Sequence, residues 1–191
     1  MVAETAQVNQ PKGTDEPESC PRSVRIELDY ILLAIEALDY EAMEAIVDCI
    51  HYLQLESAIP SRVALWRLRN TNPLRVTYQR GEFTVAQAKA LVKIIATLAQ
   101  RINTGLRLLV TTIQQVREGK IEALGLQQNQ EFLNLYLDRF VYLHKCRMKP
   151  SPLSDQELKS LGEDLIVQLL FCSGTAGEQR LWYSLTAGEL A

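Results

Sequence analysis

The chain has 191 residues, of which 47% are hydrophobic and 23% charged, a balance that suits one folded domain with a buried core and excludes an extended low-complexity protein. A net charge of −3 supplies no overall field toward nucleic acid or anionic lipid, so binding to either would have to be local. Four separated cysteines form no CxxC pair, which removes a zinc ribbon or dithiol redox motif, and no apolar run reaches the ~20 residues of a membrane helix.

Residues 1–19 are polar, with two prolines and one glycine, and read as a disordered tail ahead of a helical domain over 20–191. The acidic, proline-containing start lacks the basic flank and apolar core of a signal peptide, so the expected location is cytoplasmic. Cys20-Pro21 opens the first helix, since proline suits a first helical position whose N–H would be unpaired anyway. Val24, Leu28, Ile31, Leu32, Ile35 and Leu38 form one stripe along it, and Ile26, Tyr30, Leu33 and Ala37 a second. A helix apolar on two sides belongs at the centre of a fold. Asp29 and Glu36 lie with Arg22 and Arg25 on the narrow strip between the stripes, where buried carboxylates need cationic partners. Arg25, four residues before Asp29, is one such partner.

A second helix, about 40–56, carries Met43, Ile46, Val47, Ile50 and Leu53 at 3/4 spacing. Charge is segregated here: Glu27 to Glu56 holds eight carboxylates and no Lys or Arg, whereas Ser57 to Arg80 holds five arginines and no Asp or Glu. After Pro60, Arg62 to Arg69 can make two further helical turns, a short third helix, before the turn-forming cluster Asn70-Thr71-Asn72-Pro73 ends them. Thr84 to Gln87 reads as a capping box, after which one apolar face from Ala88 to Val116 predicts a single helix of more than 30 residues. Gly105 inside it predicts a bend or a close helix contact.

A fifth helix, about 129–145, is expected to bury Phe132, Leu133, Tyr136, Leu137, Phe140 and Leu143. Capping boxes at Ser154–Glu157 and Thr175–Glu178 start two more. The fold class is therefore all-α, a single-domain bundle of six to seven helices with one long helix.

The segments Cys20-Pro21-Arg22-Ser-Val-Arg25, Leu32 to Asp39, Leu65-Trp-Arg-Leu-Arg69 with Asn72-Pro-Leu-Arg75, and Phe171 to Gly177 with Gln179 to Trp182 carry a resemblance. Together they resemble a cyanobacterial all-helical family of unknown function, about 200 residues long, over essentially everything after the tail. The resemblance implies a cyanobacterial cytoplasmic origin and supplies no catalytic residues. Members encoded beside a second uncharacterised family imply a protein partner.

Enzymatic signatures are weak. Glu44, Asp48 and His51 share a helix face, but a di-iron bundle needs a second Glu-x-x-His, and His144 has Val141 at the acid's position. No Gly-x-Ser-x-Gly elbow occurs, and His144 and Cys146 fall on different helix faces. Ser173 to Gly177 with Arg180 could hold an anion at a helix start, yet it lacks the lysine and spacing of a P-loop and reads better as a cap. No cofactor or metal is expected.

The arginines divide in two. Arg67 and Arg69 are expected to fold back on Asp29 and Glu36 as structural ion pairs. Arg62, Trp66, Arg75 and Arg80, with Lys145, Arg147 and Lys149, are expected to form a partner-binding surface. Arg and Trp dominate protein interfaces, so a non-catalytic scaffold, assembly or regulatory factor is the first reading. An RNA-binding module using the same residues with Tyr78 and Tyr142 is the second, and an enzyme of unrecognised class the third.

Overall fold

The computed structural model describes residues 22–39, 42–59, 85–120, 126–147 and 150–187. These residues form seven helices and no strand: α1 Arg22–Leu38, α2 Ala42–Tyr52, α3 Val85–Arg101, α4 Asn103–Arg117, α5 Leu126–Arg147, α6 Asp155–Phe171 and α7 Gly174–Ala187. The tail expected over 1–19, the basic segment from residue 60 to 80 and the cap at Thr84 lie outside the described residues.

The two stripes of α1 place it as expected. Leu28, Ile31, Ala34 and Ala37 have no exposed surface, Leu33 and Ile35 are buried, and the helix packs on α2, α3, α5, α6 and α7. The core continues through Leu91, Ile94 and Ile95 of α3, Leu106 and Ile113 of α4, Tyr136 and Phe140 of α5, and Ile166 and Leu169 of α6. Burial of this kind contributes about 1.5–3 kcal/mol per large apolar side chain.

The helix expected to run unbroken from 84 for more than 30 residues is instead two, and α5, at 22 residues, is the longest among the described residues. The break falls at Ile102 (φ −99°, ψ 8°), three residues before Gly105. Gly105 makes no close contact, since a Cβ built there meets nothing within 4 Å. The bend separates two packing duties. α3 lies against α7, whereas α4 lies against α5 and α6, and Asn103 just past the break donates from Nδ2 to Ser173 Oγ at 3.2 Å.

Helix ends are marked by the expected chemistry. Gly119 at φ +70° closes α4, with its N–H on Val116 O and the Lys120 N–H on Gln115 O, the paired bonds of a Schellman motif. Ser154 opens α6 through a reciprocal capping box: Glu157 N–H donates to Ser154 Oγ at 3.3 Å and Ser154 N–H to Glu157 Oε2 at 2.8 Å. The Ser154 backbone N–H holds the Glu157 carboxyl below its ordinary value. α7 begins at Gly174, one residue before the expected box at Thr175.

Two glycines set helix spacing. At Gly162 of α6 a Cβ would lie 3.0 Å from Leu137 Cδ2 and 3.3 Å from Phe140 Cδ1, and Tyr136 Oη donates to Gly162 O at 2.9 Å. At buried Gly177 a Cβ would stand 2.9 Å from Cys172 Cα and nearer still to the Cys172 carbonyl. Backbone cannot retreat as a side-chain tip can. Gly177→Ala is therefore expected to cost about 3 kcal/mol, roughly 6–12 °C in Tm. Gly105→Ala, at an exposed helical site with open space, should raise stability by up to about 1 kcal/mol. Thermal melts of the two variants check the pair.

Candidate functional site

Three groupings among the described residues bring polar or exposed chemistry together. The first joins α1 to the end of α5. Glu36 of α1 and Arg147 of α5 form an ion pair whose side chains are only 16% and 15% exposed. Arg147, expected on the partner surface, therefore faces inward. One cation beside Glu36 thus comes from α5, 111 residues along the chain, and Arg67 and Arg69, expected in that role, lie outside the described residues. Arg139, eight residues and about two turns earlier on α5, reaches Ala37 O at 3.5 Å. Asp29 is buried in α1, and the side chain of Arg25 is not among those described.

Beside this pair lies His144, 1% exposed and stacked on Tyr30 with ring centroids 5.7 Å apart. Tyr30 Oη is 3.4 Å from Nε2 and Ser151 Oγ is 3.5 Å from Nδ1, both long hydrogen bonds. The Ser151 hydroxyl proton goes to Leu153 O, so Ser151 accepts from Nδ1–H, and with burial favouring the uncharged ring Nε2 is left to accept from Tyr30. Burial pushes the His144 pKa below its ordinary 6.5, and burial with the Asp29 charge pushes that of Tyr30 up. The arrangement clamps α1, α5 and the turn before α6 together.

The second grouping is a cleft of about 220 Å³ between α3 and α7, lined by Lys89, Val92, Glu178, Gln179, Trp182 and Tyr183. Lys89 Nζ sits 5.5 Å from the centroid of the Trp182 ring, a cation–π contact that covers the indole face. The space is below the ~300–1,000 Å³ that engulfs a small molecule.

The third is the outer face of α5. Phe132, Leu135 and Tyr142 are 42%, 48% and 66% exposed, and Cys146 is exposed on the same side. Phe132 was expected in the core. It lies instead at the edge of the solvent face, because Leu133, Tyr136, Leu137, Phe140, Val141 and His144 already fill the inner one. α5 is apolar around most of its girth, so periodicity there selects no unique inner face. Glu131 and Asp138 flank the stripe, and Lys145 stands at its C-terminal end, paired with Asp155 of the adjacent helix.

The other candidate sites resolve into local structure. His51 Nδ1 lies 3.0 Å from Glu56 Oε1, and among the described residues no group of three or more His, Cys, Asp or Glu is placed to hold a metal ion. Ser173 Oγ donates to Leu170 O, turning the hydroxyl of the loop before α7 back onto the end of α6, and burial pushes the adjoining Cys172 thiol up to about 11. Cys49 and Cys172 are buried free thiols. No described helix is long and apolar enough to cross a membrane. Lys145 and Arg147 are the described members of the expected partner surface; Arg62, Trp66, Arg75, Arg80 and Lys149 lie outside the described residues.

Residues 21–187 match the family described as protein of unknown function (DUF3038), and the chain belongs to that family. No curated protein and no solved structure matches it.

The His144 clamp carries a pH signature. Above pH 6.5 folded and unfolded chains both hold a neutral imidazole, and His144 contributes no slope. Below 6.5 the unfolded chain takes a proton that the fold resists, so stability falls as pH drops, by up to about 1.4 kcal/mol per pH unit until the depressed folded value is reached. Urea unfolding of the wild type at pH 7.5 and about 5.5 should show this loss, and His144→Gln should flatten it.

Proposed function

We propose that this chain is a non-catalytic protein-interaction domain, a scaffold, assembly or regulatory factor of a cyanobacterial cytoplasm. The observation that carries this reading is the outer face of α5. Three large apolar or aromatic side chains stand exposed together on one helix whose other side is fully engaged in the core. Single exposed apolar residues are ordinary, but a row of them on a rigid element is the form protein interfaces take. The proposed contact surface combines Lys145 at the end of the row with Arg62, Trp66, Arg75 and Arg80, which lie outside the described residues.

RNA binding through the same basic residues is the second reading. It needs cations available to phosphate, and the two described members of that set each lie against a carboxylate, Lys145 on Asp155 and Arg147 on Glu36. Tyr142, exposed on α5, is the one described aromatic of that proposal.

Leu135→Glu and Tyr142→Glu change exposed positions and should leave Tm within about 2 °C of wild type. Both are expected to abolish capture of protein partners by the tagged chain from native lysate. Capture unchanged by either variant would place the contact elsewhere. Heparin retention that falls steeply between two salt concentrations would support the RNA reading instead.

A further inference from the structure

We infer that the cleft between α3 and α7 is an arginine-binding site, in which the guanidinium of a partner protein's arginine stacks on Trp182 and pairs with Glu178, and that Lys89 covers the site until the arginine arrives. The inference rests on the interaction reading for the source of the arginine, and on nothing in the outer face of α5.

Glu178 and Trp182 stand four residues apart on α7, hence on one face of it, and both line the cleft. Trp182 packs in part against the core, which holds its ring in place. Over that ring sits a cation of the chain itself, Lys89 Nζ, 5.5 Å from the centroid. An indole face attracts positive charge through its quadrupole, so the observed ammonium marks where a ligand cation would sit. Glu178 is half-buried and has no ion-pair partner among the described residues. A carboxylate partly withdrawn from water gains more from a cation than one on the open surface.

The two charges of the cleft differ in how firmly they are held. Lys89 is exposed, ends a flexible four-carbon stem and forms no ion pair among the described residues, so it swings clear at low cost. Glu178 stays. With Lys89 displaced, an aromatic face beside a carboxylate remains, which suits a cation and repels an anion. Size narrows the choice, since about 220 Å³ admits a single side chain and not a drug-sized molecule. Hydrogen bonding narrows it further. A guanidinium is planar, so it lies on the indole while its edge donates N–H groups to the carboxylate. A lysine ammonium is a compact, strongly hydrated charge that cannot stack, and a quaternary ammonium has no N–H for Glu178. Tyr183, 69% exposed, lines the same cleft and offers apolar surface to the methylenes of the arginine.

The test uses the full chain carrying Trp66→Phe, which leaves Trp182 as its one tryptophan. The probe is the blocked tripeptide acetyl-Gly-Arg-Gly-amide, titrated to about 50 mM at constant ionic strength, with the lysine tripeptide beside it. Trp182 fluorescence should change saturably with a Kd of about 1–10 mM, and the lysine peptide should bind at least about fivefold more weakly. Glu178→Gln should weaken the arginine peptide at least about fivefold. Lys89→Ala should tighten it at least about threefold, a gain that misfolding cannot imitate. Lys93→Ala, which removes a charge about one turn along α3, should change it less than about twofold. The inference is overturned by the absence of a saturable change, by equal binding of the two peptides, by indifference to Glu178→Gln, or by a Lys89→Ala variant that binds no tighter. It also falls if Lys93→Ala gains as much as Lys89→Ala, since net charge alone would then account for both. Lysate capture that depends on Leu135 while Trp182 ignores the arginine peptide keeps the interaction reading and removes this site. Arginine binding at Trp182 with capture indifferent to Leu135 keeps this site and moves the interaction surface away from α5.

Discussion

Helix α1 has to be apolar on two sides and still carry Glu36 toward the interior, and the rest of the bundle is arranged around that requirement. A carboxylate held in largely apolar surroundings costs several kcal/mol unless a cation stands beside it. Arg147 meets the need from the last residue of α5, with the pair only 15–16% exposed. One contact thereby links the first helix to one that follows it by more than a hundred residues. His144 and Tyr30 sit on the same seam, as does Arg139 against Ala37 O, so a polar line runs along the α1–α5 boundary. Apolar packing decides that the helices are close, and the polar line decides their rotation and register. Fixing α5 at α1 then fixes its opposite side as the one that faces water.

Much of this was legible in the chain. The double stripe on α1 announced a central helix, and Ser154 with Glu157 announced the start of α6, because both signals are local and rest on 3.6-residue geometry or a bond three residues long. The all-α class followed from the same periodicity. The break at Ile102 was hidden because the apolar face continues through it from Leu98 to Leu106, and the cause is tertiary: α3 and α4 serve different neighbours. Gly105 is the residue of lowest helix propensity in this stretch, yet an exposed glycine with open space needs no bend. The partner of Glu36 was hidden for a related reason. Opposite charge is visible in sequence at any separation, but which of many arginines reaches a carboxylate depends on long-range packing. Arg147 fell in a basic stretch that read as surface. Phe132 was assigned to the core because α5 offers more apolar residues than one buried face can take.

That surplus is what links the fold to the proposed interaction role. An ordinary surface helix divides its residues into an apolar side and a polar side, and α5 does not. Tyr136 and Phe140 fill its inner face and bring α6 to the distance Gly162 allows, while Leu135 and Tyr142 remain outside. The polar seam prevents α5 from rotating to bury them. Stability at one face thus enforces exposure at the other, and membership of a family of unknown function gives no separate reason for those side chains.

The ion pair between Glu36 and Arg147 is the hinge of this description, and a double-mutant cycle on it tests the central claim most directly. Unfolding free energies would be measured for wild type, Glu36→Ala, Arg147→Ala and the double variant. Each single change is expected to cost about 1–3 kcal/mol, and the double change less than their sum by about 1 kcal/mol or more, because both single variants lose the same contact. Costs that add within about 0.5 kcal/mol would contradict it, and would mean that the α1–α5 seam is set by apolar packing alone.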